Sequence, residues 1–240
     1  MASIAKLAAL ALHPKSWPAL AKKIAPTIEH RTALGAFDFK TVIDVGANKG
    51  QFGYFAKMQW PDADIHCFEP LPGPGARLTD LLKDRVTLHT CALGSQDGTA
   101  DMHVASREDS SSLLALGSAQ KSMFEMDEVG THTVEVKRLD EVITPPLQRP
   151  ALLKIDVQGF EYEVLEGSAA LLPNVDAVFV EASYVELYEG QKLADSVIAL
   201  LETQGFTLSA AHNEQHDAKG TLVQADLLFI PTPSHTTHAS

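Results

Sequence analysis

Short apolar, β-branched segments alternate with helical patterns along most of this sequence, and this alternation restricts the fold more than any other feature. Seven segments have the composition of buried strands: residues 41–45, 64–68, 86–90, 151–156, 176–181, 206–210 and 222–230. Four helical patterns lie between them: residues 50–59, 75–83, 160–166 and 192–204. Such alternation predicts an α/β fold that is doubly wound around a mostly parallel sheet, with helices on both faces.

The chain of 240 residues is long enough for one such domain, and its ends and one internal stretch depart from the pattern. We predict an N-terminal helical extension at residues 1–35, a main domain at 36–230 and a disordered, Pro/Ser/Thr/His-rich tail at 231–240. Within 99–138, two runs of alternating polarity flank a serine-containing segment, which predicts an inserted β-hairpin with a mobile loop. The apolar first twelve residues are interrupted by Lys6, so we interpret them as an amphipathic helix rather than a signal peptide.

The charge of the chain limits its partners. The formal net charge is -12, which argues against nucleic acid and against an anionic membrane surface as main partners. Residues 1–35 hold five of the 19 basic and one of the 31 acidic residues, a balance of +4 against -16 for the remainder, so weak docking of this segment to a membrane or an acidic partner stays open. No apolar stretch reaches the ~20 residues of a membrane span. Cys67 and Cys91 lie in apolar runs, which favours a reducing, cytoplasmic location.

The end of the first predicted strand carries a glycine-containing turn. Asp44 precedes Gly46 and Gly50 in a G-x-x-x-G pattern, which differs from the dinucleotide fingerprint G-x-G-x-x-G. Glu69 ends the second strand, 19 residues beyond Gly50. An acid at that place is positioned to accept hydrogen bonds from a ribose diol, which favours an adenosine-containing ligand without separating NAD from other nucleoside cofactors.

Four acids end four predicted strands. Because the carboxyl ends of parallel strands meet at one edge of a sheet, we expect Asp44, Glu69, Asp156 and Glu181 to converge there. Crowded carboxylates bind a divalent cation, raise one another's pKa so that one becomes a general base, or hold a cationic ligand. The residues alone leave these three alternatives open.

From about residue 41 to residue 230 the sequence resembles the FkbM family of S-adenosylmethionine-dependent methyltransferases. Four stretches carry the resemblance: VIDVGANKGQF at 42–52, FEP at 68–70, LKIDVQGFE at 153–161 with VLEG following at 164–167, and QADLLF at 224–229. Their order and spacing are more specific than any one of them. The resemblance implies a Rossmann-like class I methyltransferase fold with seven strands, of which the last is antiparallel.

The resemblance also implies roles for residues at the strand ends. Those expected to bind the cofactor are Asp44, Gly46, Ala47, Asn48 and Gly50 around its methionine and ribose portions, Glu69 and Pro70 at the ribose, Cys91 and Ala92 near the adenine, and Asp156 beside the transferred methyl group. Asp156 is the first candidate for the catalytic base or a metal ligand, and Glu181, bordering the acceptor pocket, is the second. Some related O-methyltransferases hold Mg²⁺ with acids at these positions, but no complete ligand set is visible, so Mg²⁺ stays an open alternative that is not favoured.

The implied activity is transfer of a methyl group to a hydroxyl of a sugar, glycolipid or polyketide-type acceptor. One alternative is an NAD-linked oxidoreductase, which needs the G-x-G-x-x-G fingerprint that this sequence lacks. The other is a non-catalytic module that binds S-adenosylmethionine. The oligomeric state is not predicted.

Further polar residues have two interpretations. Lys154 lies inside the fourth strand and is expected to pair with a neighbouring acid. Tyr188 either closes over the acceptor or packs against the sheet. His30 and His132 are the histidines that could reach the mouth of a pocket.

Overall fold

The computed structural model describes residues 4–233 and contains ten strands. In chain order they are β1 (Thr41–Val45), β2 (Asp64–Phe68), β3 (Thr87–His89), β4 (Ala92–Leu93), β5 (Gly98–Ala105), β6 (Glu128–Lys137), β7 (Ala151–Ile155), β8 (Ala177–Ser183), β9 (Phe206–His216) and β10 (Leu222–Pro231). Seven of them form the main sheet in the order β3-β2-β1-β7-β8-β10-β9. The strands from β3 to β8 in this order are parallel, and β10 runs antiparallel to both of its neighbours.

Nine α-helices connect and cover these strands within the described residues. They are α1 (Ile4–Ala11), α2 (Trp17–Ala21), α3 (Arg31–Leu34), α4 (Gln51–Gln59), α5 (Pro72–Leu82), α6 (Ser118–Phe124), α7 (Leu139–Val142), α8 (Glu161–Glu166) and α9 (Ala194–Thr203). The predicted doubly wound α/β fold, with its mostly parallel seven-stranded sheet and antiparallel last strand, is therefore confirmed.

The inserted stretch forms a second, three-stranded sheet in the order β4-β6-β5. Its antiparallel hairpin β5–β6 agrees with the sequence, whereas the two-residue strand β4 was too short to give a pattern. The mobility of the predicted loop stays a prediction, but its serines are packed: Ser110 is buried and Ser112 is 1% exposed. Ser112 exchanges two backbone hydrogen bonds with His103, so this segment packs onto the hairpin instead of extending into solvent.

Two apolar clusters enclose the main sheet, one on each face. The second cluster lies between the sheet, α4, α5 and the N-terminal segment, and it includes Val42, Leu152, Phe179 and Leu228 from four strands. Side chains alternate between the faces of a strand, so a residue two positions away shares the same face. Two positions nearer the carboxyl edge of the sheet, these strands carry Asp44, Lys154, Glu181 and Asp226.

The N-terminal segment covers this same face. Lys6 on α1 pairs with Glu29, and the Thr27 N–H donates to the carbonyl of Gln51 at the start of α4. Ile24 belongs to the second apolar cluster. The segment from residue 27 to residue 30 is thereby held at the carboxyl edge of the sheet.

The described residues cover only part of the predictions about the chain ends. The predicted domain boundaries stay predictions. Pro231 ends β10, and the rest of the predicted tail from residue 234 lies outside the described residues. Among the described helices, none has the length and apolar composition needed to cross a bilayer.

Candidate active site

The turn between β1 and α4 is shaped by residues with positive φ. Gly46 has φ +78°, and a Cβ atom there would lie 1.8 Å from the carbonyl oxygen of Asp156. Only glycine permits both this backbone conformation and this close approach. Asn48 and Gly50 also have positive φ, at +47° and +85°. The turn therefore packs directly against the chain that leaves β7.

Glu69, at the end of β2, is tied to the same turn. Its Oε2 accepts a hydrogen bond from the Asn48 N–H at 2.9 Å, and its Oε1 accepts one from the Leu71 N–H at 2.8 Å. Burial raises the pKa of Glu69 to about 7 although these bonds favour the ionised form. Each carboxylate oxygen has a second lone pair, so Glu69 retains the capacity to accept hydrogen bonds from a ligand.

A cleft opens beside this turn and is called the first cleft below. It has a volume of about 900 Å³, which includes space open to solvent. Eight of the residues predicted to bind the cofactor line it: Gly46, Ala47, Asn48, Glu69, Pro70, Cys91, Ala92 and Asp156. The other two, Asp44 and Gly50, do not line the first cleft. Asn48 Oδ1 and Thr27 Oγ1 are buried without a hydrogen-bond partner among the described residues, and both residues belong to the lining.

Lys154 joins two of the predicted acids. Its Nζ lies 3.1 Å from Oδ1 of the fully buried Asp44 and 3.6 Å from Oδ2 of Asp156, which confirms the expected pairing. Burial disfavours the ammonium, but the carboxylates of Asp44 and Asp156 outweigh that effect and raise the pKa of Lys154. Asp44 thus serves as the counter-ion of Lys154.

A second cleft, of about 650 Å³ including open space, adjoins the first. Its polar lining consists of Thr27, Glu29, His30, Lys154, Asp156, Glu181, Asn213, Gln215 and Asp226. Four residues line both clefts: Thr27, His30, Lys154 and Asp156. These four therefore mark the place where the two clefts meet.

Gln158 links the two acids that the sequence singles out as catalytic. Its Nε2 donates to Asp156 Oδ1 at 2.7 Å and to Glu181 Oε2 at 2.9 Å, and the Tyr188 hydroxyl lies 2.8 Å from its Oε1. Tyr188 is 1% exposed and lines neither cleft, so it packs inside the protein and does not close over a ligand. Burial raises the pKa of Glu181 well above its usual range, and the nearby charges of Asp156 and Asp226 act in the same direction.

His30 completes the wall between the clefts. Its Nδ1 lies 3.3 Å from Asn213 Nδ2 and 3.5 Å from Asp226 Oδ2. Asn213 Nδ2 in turn donates to Asp226 Oδ2 at 2.6 Å. Burial is the main cause that lowers the pKa of His30 to about 4, so its imidazole is neutral at pH 7. Burial also raises the pKa of Asp226 to about 6.

Comparison with known proteins identifies the family. Residues 44–208 match the family model described as the methyltransferase FkbM domain, which is more than half of the chain. This chain is a member of the FkbM methyltransferase family. The resemblance predicted from the sequence, and the assignment of the protein as a methyltransferase, are confirmed.

Individual relatives agree with this assignment. The 2-O-methyltransferase NoeI of Sinorhizobium fredii is 29% identical over 170 residues, which cover 67% of this chain and 70% of the relative. The 31-O-demethyl-FK506 methyltransferase FkbM of Streptomyces tacrolimicus is 28% identical over 194 residues, covering 70% and 73% of the two chains. A candidate rRNA methylase from Clostridium thermocellum superposes with a TM-score of 0.50 at 11% identity, covering 85% of this chain and 93% of the other, and so shares the fold.

The predicted quartet of acids is distributed around the meeting point of the clefts of this FkbM-family protein. Glu69 lines the first cleft, Glu181 the second and Asp156 both, while Asp44 is buried beneath Lys154. Within residues 4–233, no three His, Cys, Asp or Glu side chains are grouped so that they could hold a metal ion.

Several lining residues had no assigned role in the sequence. Gln158 lies in the motif LKIDVQGFE and Asp226 in QADLLF. A polar residue beside apolar strand residues was the feature of the sequence that could have marked both as site residues. Asn213 gave no signal, because its partner Asp226 is reached only through the pairing of β9 with β10. His30 was expected at a pocket mouth and lines both clefts, whereas His132 is exposed on β6 and lines neither.

Proposed function

We propose that the protein transfers a methyl group from S-adenosylmethionine to a hydroxyl group of a sugar, glycolipid or polyketide-type acceptor. The observation that carries this proposal is the pair of adjoining clefts whose shared wall contains Asp156 and His30. A transfer between two small molecules needs two neighbouring sites with reactive groups at their junction. The printed names of two relatives, a 2-O-methyltransferase and a 31-O-demethyl-FK506 methyltransferase, support an oxygen acceptor.

The first cleft has the chemistry that S-adenosylmethionine requires. The Glu69 carboxylate can accept hydrogen bonds from the two ribose hydroxyls, and the apolar side chains of Leu71, Cys91 and Ala92 suit an adenine ring. The unpartnered oxygens of Asn48 and Thr27 are acceptors for further donors of the ligand. When bound, S-adenosylmethionine supplies an electrophilic methyl carbon on a sulfonium ion.

The second cleft is the proposed acceptor site. Its carboxylate and amide groups are suited to a hydroxyl-rich molecule, because each hydroxyl needs an acceptor for its proton. Asp156 lies at the junction, where its carboxylate accepts a hydrogen bond from the acceptor hydroxyl and orients the oxygen. Glu181 stands next to it, held by the same Gln158 amide. We propose Asp156 as the first candidate for the catalytic base and Glu181 as the second.

Three finer points belong to the same proposal. Both cysteines are free and buried, which supports a cytoplasmic location. The basic N-terminal segment supports weak peripheral contact with a membrane or an acidic partner. We propose a reaction in which no Mg²⁺ takes part, since the acids at the junction are already engaged by Lys154 and Gln158.

Calorimetry and an acceptor panel test the proposal. We expect S-adenosylmethionine and S-adenosylhomocysteine to bind, and methyl-labelled S-adenosylmethionine to label at least one sugar, glycolipid or polyketide acceptor. Absence of binding at millimolar ligand would contradict the proposal. Binding without turnover on any acceptor would instead favour a non-catalytic binding module.

A further inference from the structure

We propose that one face of the protein docks on the anionic surface of a lipid membrane, with the side chains of Leu12 and Trp17 inserted between the head groups. This surface, called the basic face below, consists of residues 12–23 and residues 77–85. The inference rests on one finer point of the proposed function, the weak peripheral contact of the basic N-terminal segment, and deepens it by choosing a membrane over an acidic partner.

Two large apolar side chains stand in water on this face. Leu12 is 85% exposed and Trp17 is 57% exposed. Among the side chains that the structure describes, the other exposed large apolar ones lie far away in sequence, at Met123 and Val129. Trp17 Nε1 donates to the carbonyl oxygen of Ala11 at 2.9 Å, which places the indole at the end of α1, next to Leu12 in the chain. An indole with a satisfied N–H and a ring in water is typical of a membrane interface.

The segment that carries these side chains is packed on its inner side. Leu10, Ser16 and Ala19 are completely buried. Ala19 also belongs to the second apolar cluster, which lies on one face of the main sheet. Leu12 and Trp17 are therefore exposed because the segment is anchored through its other side. A membrane can receive both side chains without any rearrangement of the segment.

Contacts between distant parts of the chain gather cations around this segment. The Tyr54 hydroxyl donates to the carbonyl oxygen of Lys15 at 2.8 Å, and the Arg85 guanidinium lies 5.7 Å from the centroid of the Tyr54 ring. Arg77 Nη2 donates to the carbonyl oxygen of Lys22 at 3.3 Å. The N-terminal lysines are thus held beside the arginines of α5 and of the turn that follows it.

The basic face has the opposite charge to the rest of the protein. The whole chain has 19 basic and 31 acidic residues, whereas residues 12–23 and 77–85 contain six basic and two acidic ones. One of these acids, Asp80, pairs with Lys22. The basic residues are Lys15, Lys22, Lys23, Arg77, Lys83 and Arg85. A lysine or arginine close to an anionic lipid surface strengthens binding about fivefold, so this cluster suits such a surface.

The apolar side chains decide between a membrane and an acidic macromolecule. Attraction of an acidic protein segment uses the cations alone and leaves Leu12 and Trp17 in water. At a lipid surface the cations contact the head groups while both apolar side chains leave water, which adds a favourable contribution. The cytoplasmic side of a membrane carries anionic lipids, so the docking agrees with the proposed cytoplasmic location.

Vesicle sedimentation tests the docking with the full chain. We expect the protein to sediment with vesicles of equal parts phosphatidylcholine and phosphatidylglycerol but not with vesicles of phosphatidylcholine alone, and high salt should weaken the binding. The double variant Lys15→Gln, Lys23→Gln should bind the anionic vesicles about tenfold or more weakly. The matched control is Lys121→Gln, Lys219→Gln, which removes the same charge at exposed lysines outside the basic face and should bind as the wild-type protein does.

Tryptophan fluorescence tests the insertion. The chain has two tryptophans, and Trp60 is buried, so Trp17 reports on the surface. With anionic vesicles we expect the emission to shift to shorter wavelength and to be quenched by lipids brominated in their acyl chains, and Trp17→Phe should lose both changes. Leu12→Ser alters a side chain that lies in water, so it should fold normally and bind about tenfold more weakly. The exposed Val129→Ser is its control and should bind normally.

Three results would overturn the inference: no binding to the anionic vesicles, equal binding to both kinds of vesicle, or unchanged emission in the vesicle-bound protein. If poly-glutamate binds as tightly as the anionic vesicles, and Leu12→Ser and Trp17→Phe weaken neither interaction, the partner is an acidic macromolecule instead. None of these measurements needs a cofactor or an acceptor. Failure of the proposed methyl transfer therefore leaves the docking intact, and failure of the docking leaves the methyl transfer intact.

Discussion

Glu69 shows how one side chain serves both the turn and the proposed ligand. We expect Glu69→Ala to weaken binding of S-adenosylhomocysteine by up to about 3 kcal/mol, because hydrogen bonds to a charged acceptor are lost. Calorimetry measures this directly. Since the same carboxylate caps the Asn48 and Leu71 N–H groups, the free energy of unfolding should be measured alongside. Unchanged affinity in a folded variant would rule out contact with the ribose.

The raised pKa of Glu69 adds a pH dependence. With a pKa of about 7, the carboxyl is mostly ionised at pH 8 and mostly protonated at pH 6, where it loses part of its capacity to accept hydrogen bonds. We therefore expect the wild-type protein to bind S-adenosylhomocysteine more weakly at pH 6 than at pH 8. Titrations of Glu69→Gln, which does not ionise, should lack this component of the change; an equal change in both proteins would contradict the assignment.

Asp156 is the residue whose substitution separates chemistry from cofactor binding. We expect Asp156→Asn to lower kcat more than it lowers affinity for S-adenosylhomocysteine, because the amide keeps the size of the side chain but loses the charge beside Lys154. Steady-state kinetics and calorimetry together measure the two effects. Near-normal turnover would eliminate Asp156 as a catalytic group.

At the level of residues, the sequence predicted where acids lie but not what they touch. The resemblance placed Asp44 among the residues expected to bind the cofactor, and that role stays a prediction; in the structure its carboxylate is fully buried beside Lys154. That outcome depends on the register that places Asp44 opposite Lys154 on β7, which no local pattern encodes. His30 has the same limitation, since it reaches the site only through the packing of the N-terminal segment.

At the level of elements, a chain of hydrogen bonds connects the insert to the proposed catalytic acids. The Tyr188 hydroxyl lies 3.0 Å from the carbonyl oxygen of Ser110, accepts from Gln120 Nε2 at 3.1 Å and contacts Gln158 Oε1. Gln158 then holds Asp156 and Glu181. The segment from 105 to 126 is thus coupled to the orientation of both carboxylates.

Tyr188→Phe tests this coupling. Removing the hydroxyl leaves buried polar partners unsatisfied, so we expect the free energy of unfolding to fall by about 1–3 kcal/mol and kcat to fall while affinity for S-adenosylhomocysteine is retained. Tyr184→Phe is the matched control, because the Tyr184 hydroxyl makes no hydrogen bond among the described residues. Equal effects of the two substitutions on kcat would contradict the coupling.

The elements differ in how far the sequence predicted them. The bounds of β1 and β2 agree with the predicted segments: β1 is buried along its whole length, and β2 alternates until its buried end at Cys67 and Phe68. β9 extends six residues beyond the predicted end, since its exposed second half pairs only with β10 and needs no apolar pattern. The packed serine segment was missed because its burial comes from contacts with β5 and Tyr188, which are distant in sequence.

At the level of the whole molecule, the net charge of -12 includes carboxyl groups that the fold has removed from water. Burial raises the pKa of Asp44, Glu69, Glu161, Glu181 and Asp226. A protein optimised only for stability would not gather so many buried carboxyl groups at one edge of a sheet. Clusters of carboxyl groups with shifted pKa values are typical of functional sites. The fold therefore tolerates a local cost in stability at the clefts.

Glu161 allows that cost to be measured away from the proposed ligands. Its Oε1 accepts hydrogen bonds from the Val157 and Gly159 N–H groups, yet burial raises its pKa to about 7 from an ordinary value of 4.5. Between these values the folded state binds more protons than the unfolded state, so this group lowers the free energy of unfolding as pH rises. The total effect is about 3 kcal/mol.

Urea unfolding of Glu161→Gln across pH 4.5–8 tests this account. The glutamine retains an oxygen for the two backbone bonds but does not ionise, so its stability relative to the wild-type protein should increase with pH, mainly between pH 4.5 and 7. Both proteins contain His30, whose lowered pKa makes stability rise with pH between about 4 and 6.5. Subtracting the free energy of unfolding of the wild-type protein from that of the variant removes this contribution. The exposed Glu166→Gln on the same helix should show no such trend, and a parallel trend in both variants would contradict a cost specific to the buried carboxyl.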